Sequence, residues 1–230
     1  MKREELLAWI GVVLAIPPII YMVGLEGKWA AGAFVVLILG GLAREYVTGR
    51  KQENRPVFSV IRTKKRVQMQ DKDGKTAKFE QNMRVRVNHR TREFITSYLG
   101  GDGRAENFQV DGHDPSELKT TGSRTEIVKR FDRELLPGEE FNIFITYDLI
   151  GSFPGKKEGV GHMVEFETKT AEMEVIFHSD RPCLSGELLK RYGGSMHNGG
   201  EYTRAANGSR LETNIPNPSL GAEYILQWDW

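Results

Sequence analysis

The side chains that most often carry out chemistry are scattered through this sequence and form no known motif. No HExxH, CxxC or GxxxxGK[ST] pattern is present, and Ser185 lacks the flanking glycines of a nucleophile elbow. The single cysteine, Cys183, excludes an internal disulfide. The histidines include no pair four residues apart, and they are His89, His113, His162, His178 and His197. We therefore expect no metal site, no cofactor and no catalytic centre, and a protein that is not an enzyme.

Ligand binding has more support than catalysis, because basic side chains lie next to several predicted loops. Such side chains can form charge-assisted hydrogen bonds with a phosphorylated ligand. They can equally be ordinary surface charges, and the sequence leaves both interpretations open. The candidate ligand-binding residues are Arg124, Lys129, Arg133, Lys156, Lys157 and Arg191.

The charge is distributed unevenly along the chain. Residues 44–66 hold eight basic and two acidic side chains, whereas residues 67–230 hold 21 basic and 26 acidic ones. The second part is mildly acidic, so we expect no DNA or RNA partner. The basic part is suited to anionic lipid headgroups, although its residues could also only fix membrane orientation or form a solvated strand edge. The candidate membrane-surface residues are Arg44, Arg50, Lys51, Arg62, Lys64, Lys65 and Arg66.

Two uncharged apolar runs precede this basic stretch, at residues 6–25 and 29–43. A bilayer core needs about 20 apolar helical residues, so residues 1–46 are predicted to form a hairpin of two transmembrane helices. One span followed by a buried or re-entrant segment, and a cleaved signal peptide, are the alternatives. The basic residues flanking both runs place both termini in the cytoplasm, with the lipid bilayer as a partner.

Small residues recur at helical spacing in both apolar runs. They allow transmembrane helices to approach closely. The close approach can pack the hairpin against itself or drive the association of several chains into a homo-oligomer. The predicted helix-packing residues are Gly11, Ala15, Gly32 and Gly40.

After a basic juxtamembrane connector at residues 47–63, the periodicity changes from helical to alternating. Residues 64–230 are predicted to form a cytoplasmic β-rich domain, an antiparallel sandwich or barrel of about nine or ten strands. The final strand, ending in Trp228 and Trp230, is expected to be held within a sheet. One or two helical turns at Ser185–Tyr192 are an additional option.

The order of these elements, two short spans, a basic exit and a strand-rich domain, resembles the two-transmembrane effectors of bacterial cyclic-oligonucleotide antiphage signalling. The resemblance covers the architecture of the whole chain and includes no residue motif. It implies a barrel that binds a cyclic nucleotide second messenger, and spans that assemble and compromise the bacterial inner membrane. The leading hypothesis is therefore a ligand-gated membrane effector. The alternative is a membrane-tethered adaptor or scaffold whose β-domain binds a protein partner.

Overall fold

The computed structural model describes residues 56–99, 103–122 and 124–230, which form strands and turns without a helix. The predicted all-β character of the domain is therefore confirmed. No helix in these ranges has the length and apolar character needed to cross a bilayer. The predicted hairpin of residues 1–46 and most of the connector lie outside the described residues. So do the candidate residues Gly11, Ala15, Gly32, Gly40, Arg44, Arg50 and Lys51.

The described residues form fifteen strands, numbered in chain order, and eight of these make one large sheet. Across the sheet they are β13 (Thr203–Arg204), β14 (Arg210–Pro216), β10 (Thr170–Ile176), β1 (Phe58–Met69), β2 (Thr76–Val87), β7 (Glu140–Ile150) and β4 (Arg104–Val110), with β9 (Glu167–Thr168) also paired to β1. Strand β1 runs parallel to β9 and β10, and the other pairs are antiparallel. The sheet is therefore mixed rather than antiparallel as predicted.

Two smaller sheets complete the described part of the fold. The four-stranded sheet has the order β12 (Ser195–Asn198), β11 (Ser185–Tyr192), β15 (Glu223–Asp229) and β8 (Lys157–Met163). The three-stranded sheet has the order β3 (Thr91–Leu99), β6 (Arg124–Leu135) and β5 (Glu117–Thr121). The helical option at β11 is wrong, because this segment pairs with a strand on each side. The predicted number of strands was too low because short strands such as β9 and β13 have no readable alternation.

A β-bulge in β1 determines which of its side chains face the core. Before the bulge, Phe58 and Val60 are buried, and the pairing with β2 then shifts register between Val60 and Arg62. A bulge places two residues opposite one, so the alternation of faces changes phase. After it, the odd-numbered residues from Thr63 to Met69 face inward. Strand β1 begins at Phe58, six residues before the predicted start of the domain.

The inner face of the large sheet shares one apolar core with both smaller sheets. Phe58 of β1 meets Phe94 of β3 with ring centres 5.0 Å apart. Phe177, just after β10, lies 5.5 Å from Trp228 of β15, whose side chain is buried. The indole of Trp230 donates a hydrogen bond to the Gly155 carbonyl at 2.7 Å. The expectation that the final strand is held within a sheet is therefore confirmed.

The single cysteine is part of this core rather than of its surface. Cys183 is 1% exposed, and its Sγ donates a hydrogen bond to the Ser185 carbonyl at 3.1 Å. Burial raises the pKa of the thiol, so Cys183 stays protonated at neutral pH.

The outer face of the large sheet is held by ion pairs across the parallel β1–β10 pair. The carboxylate of Glu174 on β10 is 6% exposed and meets Lys64 Nζ at 2.8 Å and Arg66 Nε at 3.1 Å. Burial alone would raise the pKa of Glu174, but the hydrogen bonds and positive charges of Lys64 and Arg66 outweigh it and lower the pKa. Arg62 pairs with Glu172 at 2.7 Å on the same face.

Replacing Glu174 by Gln is expected to reduce the free energy of unfolding by about 1–3 kcal/mol, because a buried charged hydrogen-bond acceptor is lost. The native pKa is lowered, so the contribution is present above the ordinary Glu pKa and disappears as the pH falls through the native value. Urea unfolding followed by tryptophan fluorescence at several pH values measures it. Glu212→Gln is the control, because Glu212 is 41% exposed and its ion pair with Arg210 is longer, at 3.5 Å. Equal losses in both variants would contradict the expectation.

Candidate ligand-binding cavity

A cavity of about 460 Å³ lies where the two smaller sheets meet the inner face of the large one. Its floor is formed by β1, β2 and β7, and its sides by β3 and β8. Within the described residues, β3 is the end strand of its sheet and β8 is the end strand of the other. The volume falls in the range of about 300–1,000 Å³ that is typical of small-molecule sites. The cavity is therefore the candidate ligand-binding site.

Lys65 extends from the floor into this cavity. Its Nζ donates one hydrogen bond, to the Gly161 carbonyl of β8 at 3.3 Å. Among the described residues, no carboxylate lies within ion-pair distance of this ammonium. Loss of hydration lowers the pKa of Lys65 to about 8, against the opposing effect of the Glu165 and Glu223 charges. Lys65 is thus positively charged at neutral pH, in a place where the charge is costly.

The two carboxylates whose charges raise the pKa of Lys65, Glu165 and Glu223, each form an ion pair with an arginine. Glu165 accepts hydrogen bonds from Ser97 Oγ and, at 3.3 Å, from Arg124 Nη2. Glu223 accepts a hydrogen bond from Arg191 Nη1 at 2.9 Å. Each of these two carboxylates therefore has an arginine partner of its own.

A neutral histidine lies beside this lysine. His162 of β8 is 6% exposed, and neither of its ring nitrogens has a hydrogen-bond partner among the described residues. Burial and, to a lesser extent, the positive charge of Lys65 lower the pKa of His162 well below its ordinary value. His162 therefore contributes no charge to the cavity at neutral pH.

Aromatic rings form the apolar part of the cavity wall. Phe79 and Tyr147 are stacked, with ring centres 4.2 Å apart and an angle of 11° between their planes. Tyr98 packs edge-on against Tyr147 at 5.0 Å. Burial, with a smaller effect of Tyr98, raises the pKa of Tyr147, so its hydroxyl is neutral. The site therefore places the Lys65 ammonium next to a stacked aromatic pair.

Two of the six predicted ligand-binding residues, Lys157 and Arg191, line the cavity. Lys157 pairs with Glu187 at 2.8 Å, outside the cavity lining. A third, Arg124, reaches the cavity wall through its contact with Glu165. Their role in ligand binding stays a prediction.

The other three predicted residues are not part of the cavity. Lys129 pairs with Asp111, Arg133 pairs with Glu139 at 3.0 Å, and Lys156 is an exposed residue before β8. The sequence reading did not select Lys65 as a ligand-binding residue. The available signal was its position two residues before Val67 in an alternating run, which places both on the same face.

The candidate membrane-surface residues of β1 divide between the two faces of the sheet. Arg62, Lys64 and Arg66 lie on the outer face, in ion pairs with Glu172 and Glu174. Lys65 lies on the inner face, in the cavity. Neighbouring basic residues of β1 therefore lie in two different environments.

Within the part of the chain that the structure describes, no three His, Cys, Asp or Glu side chains are grouped to hold a metal ion.

Comparison with known proteins adds distant structural matches only. No protein-family model and no curated protein matches the chain. A two-domain M1 zinc metallopeptidase mutant bound to L-tryptophan is 11% identical, with a TM-score of 0.43, over 75% of this chain and 43% of the other. The M1 zinc metallopeptidase from Deinococcus radiodurans is 13% identical, with a TM-score of 0.41, over 74% and 42%. The chain thus spans less than half the length of these enzymes, and the similarity assigns neither a family nor an activity to it.

Replacing Lys65 by Met is expected to raise the free energy of unfolding at pH 7 by about 1–3 kcal/mol, because a poorly hydrated charge is removed. The native protein releases this proton near pH 8, whereas the unfolded chain keeps it to about pH 10.4. Native stability therefore rises between these pH values, and the advantage of the variant shrinks.

Urea unfolding at pH 7 and pH 10 measures this difference. Lys64→Met is the matched control, since Lys64 is the next residue on β1 but lies on the outer face, where its ion pair with Glu174 stabilises the sheet. The control is expected to lose stability. An advantage of Lys65→Met that is the same at both pH values would contradict the assignment.

Proposed function

We propose that this chain is a membrane-anchored effector whose β-domain senses a small ligand in the cavity described above. Ligand binding changes the association of the β-domains, and the two N-terminal apolar segments then oligomerise and perturb the bacterial inner membrane. The observation that carries the proposal is the cavity itself, which holds a charged lysine with no carboxylate partner among the described residues. Structural cores rarely retain such a group, because its burial costs stability.

The position of the cavity supports a role in sensing. Its walls come from three different sheets, and the edge strands β3 and β8 face it from separate sheets. A ligand that contacts both edges favours the arrangement in which they are closest. It can shift the equilibrium only by its differential affinity for the two arrangements. The strand that carries Lys65, β1, is also the first described strand after the apolar segments in sequence.

The resemblance to antiphage effectors makes cyclic nucleotides the first ligands to test. In the alternative function, as an adaptor, the β-domain binds a protein partner instead. The exposed apolar side chains of Tyr192 and Met196 on the β11–β12 hairpin favour this second candidate. An adaptor would co-purify with another protein and would leave the membrane intact.

Overproduction of the full chain in bacteria together with a cyclic-nucleotide synthase is expected to depolarise the inner membrane, measured with a potential-sensitive dye. Thr96→Trp places a large ring in the cavity, because Thr96 lines it and is 7% exposed. This variant is expected to abolish depolarisation. Thr121→Trp, on the exposed end of β5, is the matched control and should behave as the native protein does.

Thermal unfolding and expression level establish that both variants are folded and present at equal amounts. Depolarisation that persists in Thr96→Trp would contradict a role of the cavity. The absence of depolarisation with every cyclic nucleotide tested would contradict the effector function and favour the adaptor.

A further inference from the structure

We infer that the ligand of this cavity carries one negatively charged group, bound by Lys65, on a flat apolar body that lies against Phe79 and Tyr147. This inference rests on the proposed function and adds the chemical class of the ligand.

Lys65 is the basic side chain of the cavity lining that has no ion pair among the described residues. Of the three basic side chains that line the cavity, Lys157 pairs with Glu187 at 2.8 Å and Arg191 pairs with Glu223 at 2.9 Å. Within the described residues, Lys65 has one hydrogen bond, to the neutral Gly161 carbonyl at 3.3 Å. An ammonium has three donors, so two of them are available to a carboxylate or phosphate oxygen. A bound anion would offset the unfavourable loss of hydration of the Lys65 ammonium.

The carboxylates that line the cavity disfavour a second negative charge on the ligand. The carboxylates of Glu158, Glu165 and Glu223 also line the cavity. Glu158 accepts a hydrogen bond from the Gly155 N–H, and Glu165 and Glu223 are held by arginines. A second anionic group would therefore lie near fixed carboxylates, and like charges at short distance repel. The cavity thus favours a ligand with a single charge over one with several.

The apolar body of the ligand is assigned from the aromatic wall next to the charge. Lys65 Nζ lies 5.8 Å from the centre of the Phe79 ring, which is stacked on Tyr147. Met83 and Ile145 line the same floor. A planar ring placed there would make stacked or edge-on contacts while its charged group remains within reach of Lys65. Benzoate-like acids and cyclic mononucleotides share this chemistry, so the experiment includes both a carboxylate and a phosphodiester.

The test measures the affinity of the full-length chain in lipid nanodiscs for five compounds by isothermal titration calorimetry, with empty nanodiscs as the blank. The monoanions are 1-naphthoate and 3′,5′-cyclic AMP, their neutral counterparts are 1-naphthamide and adenosine, and cyclic di-AMP carries two charges. We expect at least one monoanion to bind more tightly than both its neutral counterpart and cyclic di-AMP. Which monoanion binds identifies the head group as a carboxylate or a phosphodiester.

Two variants assign the binding to the cavity. Lys65→Met is expected to weaken the affinity for that monoanion by about 10- to 100-fold, as the loss of a charged hydrogen bond does. Lys64→Met removes the same charge one residue away on the opposite face, and should bind as the native chain does. Thermal unfolding confirms that both variants are folded.

Unchanged affinity in Lys65→Met, or equal affinity for a neutral counterpart, overturns the inference. Tighter binding of cyclic di-AMP that depends on Lys65 overturns the single-charge assignment and leaves the proposed function intact. Failure of every compound to bind at millimolar concentration also overturns the inference. The depolarisation experiment with Thr96→Trp does not depend on ligand charge, so it decides separately whether the proposed function stands.

Discussion

The bulge in β1 is the constraint on which the rest of the domain depends. It lies between Val60 and Arg62, and it reverses which residues of the strand face the core. Without it, the phase set by Phe58 and Val60 would direct Arg62, Lys64 and Arg66 inward. With it, these three residues pair with acidic residues of β10 on the outer face. Of the four described basic residues of β1, Lys65 alone is directed into the cavity.

The two faces of β1 have opposite energetic effects. On the outer face, a nearly buried carboxylate, Glu174, is satisfied by two cations and ties β1 to its parallel neighbour. On the inner face, Lys65 has no carboxylate partner among the described residues and His162 has no hydrogen-bond partner there. The aromatic core around Phe94, Tyr147 and Trp228 supplies the apolar burial that offsets these costs. A local violation of this kind in an otherwise consistent fold is typical of functional sites.

The sequence predicted the strands with clear alternation and failed where pairing partners decide the outcome. Residues 79–87, 141–147 and 171–177 alternate with period two in the sequence, and they lie almost entirely in β2, β7 and β10; the final strand with Trp228 was also predicted. The parallel direction of β10 was not predictable, because alternation contains no information on strand direction. Ser185–Tyr192 was ambiguous between helix and strand, because its pairing with β12 and β15 makes it a strand and this pairing is not visible in the local sequence.

The candidate site was predicted only in part. Lys157 and Arg191 were selected because they lie near loops, and they do line the cavity. Lys129 and Arg133 were selected by the same rule, yet their carboxylate partners Asp111 and Glu139 hold them elsewhere. The role of Lys65 was missed because the prediction grouped it with the neighbouring basic residues as a membrane-surface residue, although its alternation with Val67 and Met69 places it on the inner face.

The buried, protonated thiol of Cys183 has a practical consequence for spectroscopy. Since it is the single cysteine of the chain and reacts only as a thiolate, maleimide or nitroxide reagents will leave it unmodified in the folded domain. Reporter groups can then be attached at cysteines introduced on β3 and β8 while the natural residue is retained. The separation of the two strand edges thus becomes directly accessible to distance measurements by electron paramagnetic resonance.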